Sequence, residues 1–343
     1  MQTKNNIRLL IVDDSALFRA VLSRGVSADP DIEVVAAATD PFDARDKILE
    51  FEPDVMICDV VMPKMDGIEF IRRLMPQYPL RVVVVSSVSE AVLDAMNAGA
   101  VDFVAKPDIS TGRTPAIFIS ELIEKIKIAA KANISCGNNA ANIVRKTLSS
   151  PPAPRRKLIA IGASTGGTEA IFNVLRCLPP STPGIVIVQH IPPVFSRMFA
   201  DRLNNTIQLQ VKEAQTGDFV ETGHVLIAPG DRHMRVKKLG DRFRVELFEG
   251  EKTNGHCPSV DVLFDSVSAV CANTAVGVIL TGMGEDGARG LLSMRKMGAR
   301  TIGQDEKSCV VYGMPRAAFE MGAVEKQVPL ESIAQAISLA ITK

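Results

Sequence analysis

Tryptophan is absent from this 343-residue chain, and tyrosine occurs only twice. That scarcity says little about function, but other shortages exclude whole classes. Neither sign of charge is in excess, since 39 Lys and Arg stand against 39 Asp and Glu. Chains that grip nucleic acid usually carry a basic surplus, so no nucleic-acid partner is expected. No apolar run approaches the ~20 residues that span a bilayer. The chain enters a folded pattern with no charged-then-apolar leader, and no direct membrane insertion is expected. The six cysteines, Cys58, Cys136, Cys177, Cys257, Cys271 and Cys309, form no C-x-x-C pair, and no Cys/His spacing resembles a zinc site. These shortages point to a soluble, cytoplasmic protein with reduced thiols. No repeat of solenoid type is present.

What the sequence does have is a strand-helix rhythm, met twice. Residues 8–133 carry the apolar runs "RLLIVDD", "IEVVAAA", "DVMICD", "RVVVVSS" and "DFVAKP", separated by amphipathic stretches and closed by "AIFISELIEKIKIAAKAN". That alternation predicts a parallel, doubly wound sheet. Residues 134–156 are polar, rich in small residues, and end in prolines and arginines, which reads as a linker. From residue 157 the rhythm returns with "KLIAIGAS" and "GIVIVQH", then "HMRVKK" and "RFRVELF" alternate around "LGD", a hairpin signal. The expected fold is α/β: two doubly wound parallel-sheet domains, 1–133 and 157–343, the second with an inserted antiparallel β-hairpin.

Ligands of doubly wound sheets bind at the carboxyl ends of the strands. In the first half those ends carry Asp13 and Asp14, then Asp59, then Ser86 and Ser87, then Lys106. One aspartate at a strand end is ordinarily a helix cap. Three carboxylates on one edge repel one another unless a cation joins them, and Mg²⁺ suits such a set of hard oxygens. A carboxylate beside Mg²⁺ can attack phosphorus, with Ser86 and Lys106 placed to hold the phosphoryl oxygens. The stretches "IVDDS", "ICDVVMPKMDG", "VVVVSS" and "FVAKP" resemble the receiver domain of two-component response regulators. The resemblance implies Asp59 as phosphoacceptor and Asp13, Asp14 and Asp59 as Mg²⁺ ligands. It also implies Ser86 and Lys106 as phosphate sensors and Phe103 as the ring that moves on activation. Cys58 alternates onto the opposite face and reads as core.

In the second half the strand ends deliver Ser164, then His190, then a loop "MGEDG" with Glu285 and Asp286. Serine needs a base, histidine titrates near neutrality, and a buried carboxylate orients the imidazole, so this set suits acyl transfer. The amides after Ser164 open a helix and can face an oxyanion. "GASTG" satisfies the G-x-S-x-G of nucleophile elbows, but the order Ser, His, acid differs from that of ordinary α/β-hydrolases. G-x-G-x-x-G is not met, no ribose-binding acid follows, and the Gly-Lys-Ser/Thr of a Walker loop is missing. Among the other histidines, His224 and His233 flank "VLIAPGD", where a turn role is expected, and His256 lies in "NGHCPS" with a groove role unsupported. Asp286 also reads as a cap for "GARGLLSMRKMG", and Glu285 is its neighbour and competitor.

The stretches "IGASTGG", "QHIPPVFSRMFADRL", "VLIAPGDRHM", "HCPSVDVLF", "GVILTGMGEDGARG" and "SCVVYGMPRAA", following a receiver, resemble the chemotaxis response-regulator protein-glutamate methylesterases. The resemblance implies Ser164, His190 and Asp286 as a triad, with an oxyanion environment around Thr165 and Met283 and no cofactor for the ester chemistry. It implies methyl-accepting chemoreceptors as substrate, a histidine kinase as phosphodonor, deamidation of receptor glutamines, and a receiver that controls access to Ser164. A transcription regulator and a non-catalytic phospho-dependent adaptor are the rivals; no basic helix-turn-helix-sized unit supports the first. A monomer is the default expectation.

Overall fold

The computed structural model describes residues 6–63, 65–87, 89–107, 114–134 and 157–342. The chain divides into two compact units, Met1–Gly137 and Asn138–Lys343. Of the expected linker, residues 135–156, including Cys136, lie outside the described residues.

The first unit holds β1 (Ile7–Val12), α1 (Ala16–Val26), β2 (Ile32–Ala38), α2 (Pro41–Phe51), β3 (Val55–Asp59), α3 (Gly67–Leu74), β4 (Arg81–Ser86), α4 (Ser89–Asn97), β5 (Asp102–Ala105) and α5 (Pro115–Ala130). Its sheet is parallel throughout, in the order β2-β1-β3-β4-β5. β3 is buried along its whole length and β4 in all but its first residue, which explains why they read as unbroken apolar runs: helices cover both faces of a parallel sheet. Helix starts are written locally. Asp40 accepts from the Phe42 and Asp43 amides ahead of Pro41, and Asp66 accepts from the Glu69 amide.

The second unit holds β6 (Leu158–Ala163), α6 (Gly167–Leu175), β7 (Gly184–Gln189), α7 (Phe195–Thr206), β8 (Gln210–Glu213), β9 (His224–Ile227), β10 (His233–Leu239), β11 (Arg242–Phe248), α8 (Val260–Cys271), β12 (Ala275–Ile279), α9 (Ala288–Lys296), β13 (Arg300–Gln304), α10 (Met314–Glu320), β14 (Lys326–Val328) and α11 (Leu330–Thr342). Seven parallel strands run in the order β14-β13-β12-β6-β7-β9-β8. β10 and β11 form the expected hairpin, pairing Leu239 with Arg242 across a two-residue turn that Gly240 enters at φ 60°. The apolar side of the hairpin, Met234, Val236, Phe243 and Val245, joins Leu263, Phe264 and Val267 of α8 in one core cluster. That packing seats the start of α8 at the end of β6, where a side chain on Gly162 would collide with Val260.

The turn role expected of His224 and His233 needs correction. Each opens a strand, β9 and β10 respectively. His233 is buried, its Nε2 2.9 Å from the Glu251 carbonyl and its Nδ1 accepting from the Ser259 amide at 3.2 Å. A histidine in that setting is a structural tie.

Candidate functional site

The first unit gathers its polar strand ends at one edge. Asp13 and Asp59 are buried and Asp14 is exposed, and one oxygen from each lies within 4.8 Å of the others. Lys106 Nζ donates to Asp59 Oδ2 at 2.7 Å and to Asp13 Oδ2 at 3.0 Å. Asp59 Oδ1 accepts from the Val60 amide at 2.7 Å. Burial pushes the Asp59 carboxyl up from its ordinary value, against the pull of Lys106. Burial also works against the Lys106 charge, but the two carboxylates outweigh it and the net shift is upward. Ser86 is buried at the end of β4, and Phe103 is buried within β5. Three convergent carboxylates are a donor set that fits a hard divalent ion such as Mg²⁺. Cys58 is fully buried beside Asp59, as expected of core.

In the second unit, β12, β6 and β7 are neighbours; Ser164 follows β6, His190 follows β7, and β12 leads into the loop that carries Met283 and Asp286. β6 pairs with β7 up to Ala163 and Gln189, so Ser164 and His190 leave adjacent strands side by side. The His190 amide donates to the Ala163 carbonyl at 3.1 Å, and the Ser164 amide donates to Thr281, just beyond β12, at 3.0 Å. Ser164 is 6% exposed and Thr165 4%. Gly166, at φ 74°, turns the chain into α6, a left-handed conformation that favours glycine. Gly282 has no room for a side chain, because an added Cβ would meet Met314 Sδ and come within 2.7 Å of Ser164 Cβ. That contact brings the Met283 segment up to the serine, with the Met283 side chain exposed.

Burial separates Asp286 from its neighbour: Glu285 is exposed, whereas Asp286 is 1% exposed. Five donors surround its carboxylate. Oδ2 accepts from the Val260 amide at 2.7 Å and faces His190 Nε2 at 2.9 Å. Oδ1 accepts from Ser259 Oγ at 2.8 Å, Asn254 Nδ2 at 2.9 Å and the Asp261 amide at 3.2 Å. Burial opposes the charge, but the His190 hydrogen bond, the His190 charge, Asn254 and the Val260 amide together hold the carboxyl far below its usual range. The helix that Asp286 caps is α8, through its first amides, rather than α9 as the sequence suggests; α9 begins at a glycine cap with no side-chain bond.

An ionised Asp286 can only accept, so the His190 proton sits on Nε2. The other ring nitrogen, Nδ1, is buried and has no hydrogen-bond partner. The usual serine triad offers Nδ1 to the acid; here the nitrogen that faces the acid is Nε2. Gln189 adds a tie that sequence reasoning did not assign: Nε2 donates to the Ser164 carbonyl at 2.9 Å and to the His190 carbonyl at 3.1 Å. Thr281 Oγ1 donates to the Thr165 carbonyl at 3.0 Å, fixing the next residue as well. Asn254 and Ser259 were also missed. The Asn-Gly pair at 254–255 is a turn signal that marks the first of them.

Fold and site together define a two-unit chain, a receiver-type acidic edge followed by a parallel α/β sheet with a Ser-His-Asp cluster at its strand ends. Models of two families match it, the response regulator receiver domain over residues 9–113 and the CheB methylesterase over residues 159–337. The chain is 59% identical over 331 residues to the protein-glutamate methylesterase/protein-glutamine glutaminase 2 of Syntrophomonas wolfei, covering 96% of each. It is 48% identical over 335 residues to the protein-glutamate methylesterase/protein-glutamine glutaminase of Escherichia coli K12, again with 96% of each covered. The crystal structure of the Thermotoga maritima CheB methylesterase catalytic domain aligns with a TM-score of 0.53 at 36% identity, over 54% of this chain and 98% of that one. The chain belongs to the CheB methylesterase family, with a receiver domain preceding the methylesterase domain.

Proposed function

We propose that this chain is a phosphorylation-activated serine esterase that hydrolyses glutamate methyl esters on chemoreceptors, and that it deamidates receptor glutamines by the same acyl chemistry. The observation that supports it most is the five-donor cradle that keeps Asp286 ionised against His190. Asp286 holds the Nε2 proton, which leaves the Nδ1 lone pair to accept the Ser164 Oγ proton as Oγ attacks the γ-carbonyl. Negative charge growing on the carbonyl oxygen is met by amides near Thr165, at the opening of α6, and near Met283, in the loop after β12. The imidazolium returns its proton to the departing methoxide, and methanol leaves. Water, losing a proton to Nδ1, attacks the acyl carbon; the imidazolium hands that proton to Ser164 Oγ as the acyl bond breaks, and the glutamate carboxylate leaves. With glutamine as substrate, ammonia leaves in place of methanol. No cofactor is required for these steps.

In the first unit the reading assigns Asp59 as the acceptor of phosphate from a histidine kinase. Ser86 and Lys106 sense the phosphoryl group, and Phe103 responds. Asp13, Asp14 and Asp59 would hold Mg²⁺, which when bound neutralises the phosphoryl oxygens. Asp59→Asn is expected to keep basal methanol release and to lose stimulation by acetyl phosphate; chelating the metal from the unaltered chain is expected to remove the same stimulation. Methanol release from methylated receptor membranes, with and without the donor, measures both, and stimulation that survives the substitution contradicts the assignment. Among the described residues no helix is long and apolar enough to cross a membrane, and the proposed setting is a cytoplasmic monomer.

Gly282→Ala tests the close approach behind the serine. The added methyl would push on Ser164 and on buried Met314. The expected result is a roughly 100-fold loss of methanol release with about 1–3 kcal/mol of lost stability in denaturant unfolding. A fully active Gly282→Ala chain would show that Ser164 has room to move without cost.

A further inference from the structure

The imidazole of His190 makes one hydrogen bond, from Nε2 to Asp286, while Nδ1 has none. A single bond at one corner leaves a ring free to pivot about that bond, and to turn over so that Nδ1 takes the place of Nε2 against Asp286. The ring nevertheless has a second, flat contact: His256 stacks on it with centroids 3.7 Å apart and planes 11° from parallel. His256 is brought there by a tight turn. Thr253 and His256 exchange both backbone hydrogen bonds, each 3.0 Å, across Asn254 at φ 52° and Gly255 at φ 83°. Positive φ at both central residues is the type I′ geometry for which Asn-Gly is the preferred pair.

The same turn reaches the other half of the pair. Asn254 Nδ2 donates to Asp286 Oδ1 at 2.9 Å and to Asp261 Oδ2 at 2.7 Å, while its Oδ1 accepts from Arg289 Nη2 at 2.6 Å. Every hydrogen-bonding site on that amide except part of its carbonyl is engaged, so its orientation is determined. One four-residue turn therefore touches the base through its last residue and the acid through its second.

We propose that the turn Thr253–His256 is a positioning device for the acid-base pair, in which His256 fixes the plane of His190 so that Nδ1 is presented to Ser164. The proposal rests on the esterase reading above. His256 acts through His190 and touches no reacting atom. Its ring face also lies against the imidazolium that forms during the reaction, and a π face attracts a cation, so the contact strengthens as the proton is taken up.

Two variants and two readouts test it, all on the full-length chain. Histidine labelled with ¹⁵N distinguishes ring tautomers among the four histidines of the chain. In the unaltered protein His190 is expected as the Nε2–H tautomer. In His256→Ala it becomes a mixture, and kcat for methanol release falls about 10- to 100-fold with KM within twofold. His256→Phe, which keeps a flat ring but cannot titrate, recovers the single tautomer and comes within a few-fold of the unaltered kcat. The proposal is overturned if His256→Ala leaves tautomer and kcat unchanged, or if His256→Phe is as slow as His256→Ala, because the imidazole itself would then be required. Failure of the unaltered chain to release methanol would instead sink the esterase reading, while the tautomer measurement would still judge the turn.

Discussion

Ser164→Ala is expected to abolish methanol release from methylated chemoreceptors, with a loss of about 10⁴-fold or more. The argument is chemical and positional. Ser164 supplies the hydroxyl that leaves the end of β6, beside His190 from β7, with its backbone tied to Thr281 and Gln189. Removing one oxygen takes away the proposed nucleophile and leaves those ties in place. Stability should therefore stay within about 1 kcal/mol of the unaltered chain, and the unfolding transition is the control that separates a chemical loss from a collapsed site. Ester turnover by the alanine form would reassign the nucleophile.

The second large effect is expected at Asp286→Asn, for a different reason. All five neighbours of the carboxylate point N–H or O–H groups at it. An amide of the same shape must turn its own N–H₂ toward donors, whichever way it is flipped. Leaving buried donors unmatched costs about 1–3 kcal/mol for each group, so this substitution should lower stability as well as activity, unlike Ser164→Ala. The rate should fall about 10⁴-fold, because His190 loses the acceptor that holds its proton on Nε2. The pH dependence of the stability loss follows from the direction of the Asp286 shift. A carboxyl held below its unfolded value contributes stability that is complete above about pH 4 and fades as pH falls toward the folded value. The gap in unfolding free energy between the two forms should thus be widest near neutrality and narrow below about pH 4. A gap that is constant across that range would mean that Asp286 is not ionised in the folded chain.

Both sheets were legible in the sequence because parallel strands are buried on two faces and so appear as apolar runs such as "RVVVVS" and "GIVIVQ". The same runs point to the site, since the first polar residue after each marks a strand end. Ser164, His190, Asp13, Asp59 and Lys106 stand out in this way. The hairpin was legible from its alternation and its Gly-Asp turn. Other parts were not. Asp286 and Glu285 are equivalent until burial separates them. Gln189 looks like the last residue of a strand, and nothing local shows that its amide spans the Ser164 and His190 carbonyls. Asn254 and His256 act across 32 and 66 positions of sequence, distances over which no periodicity carries information.

The central place of β6 has a consequence for how the molecule comes into being on the ribosome. The first unit can close its sheet once β5 and α5 have emerged, since every strand it pairs is already made. β6 cannot. One of its flanks is filled early by β7, but the other waits for β12, which follows the hairpin and α8 in the chain. Pairings so distant in sequence form slowly, and amino-terminal units generally fold first during synthesis. A nascent chain is therefore expected to pass through a stage in which the first unit is finished while Ser164 is made but its sheet is not. If Asp286 has the role proposed above, products cut short before it are expected to release no methanol from methylated receptors.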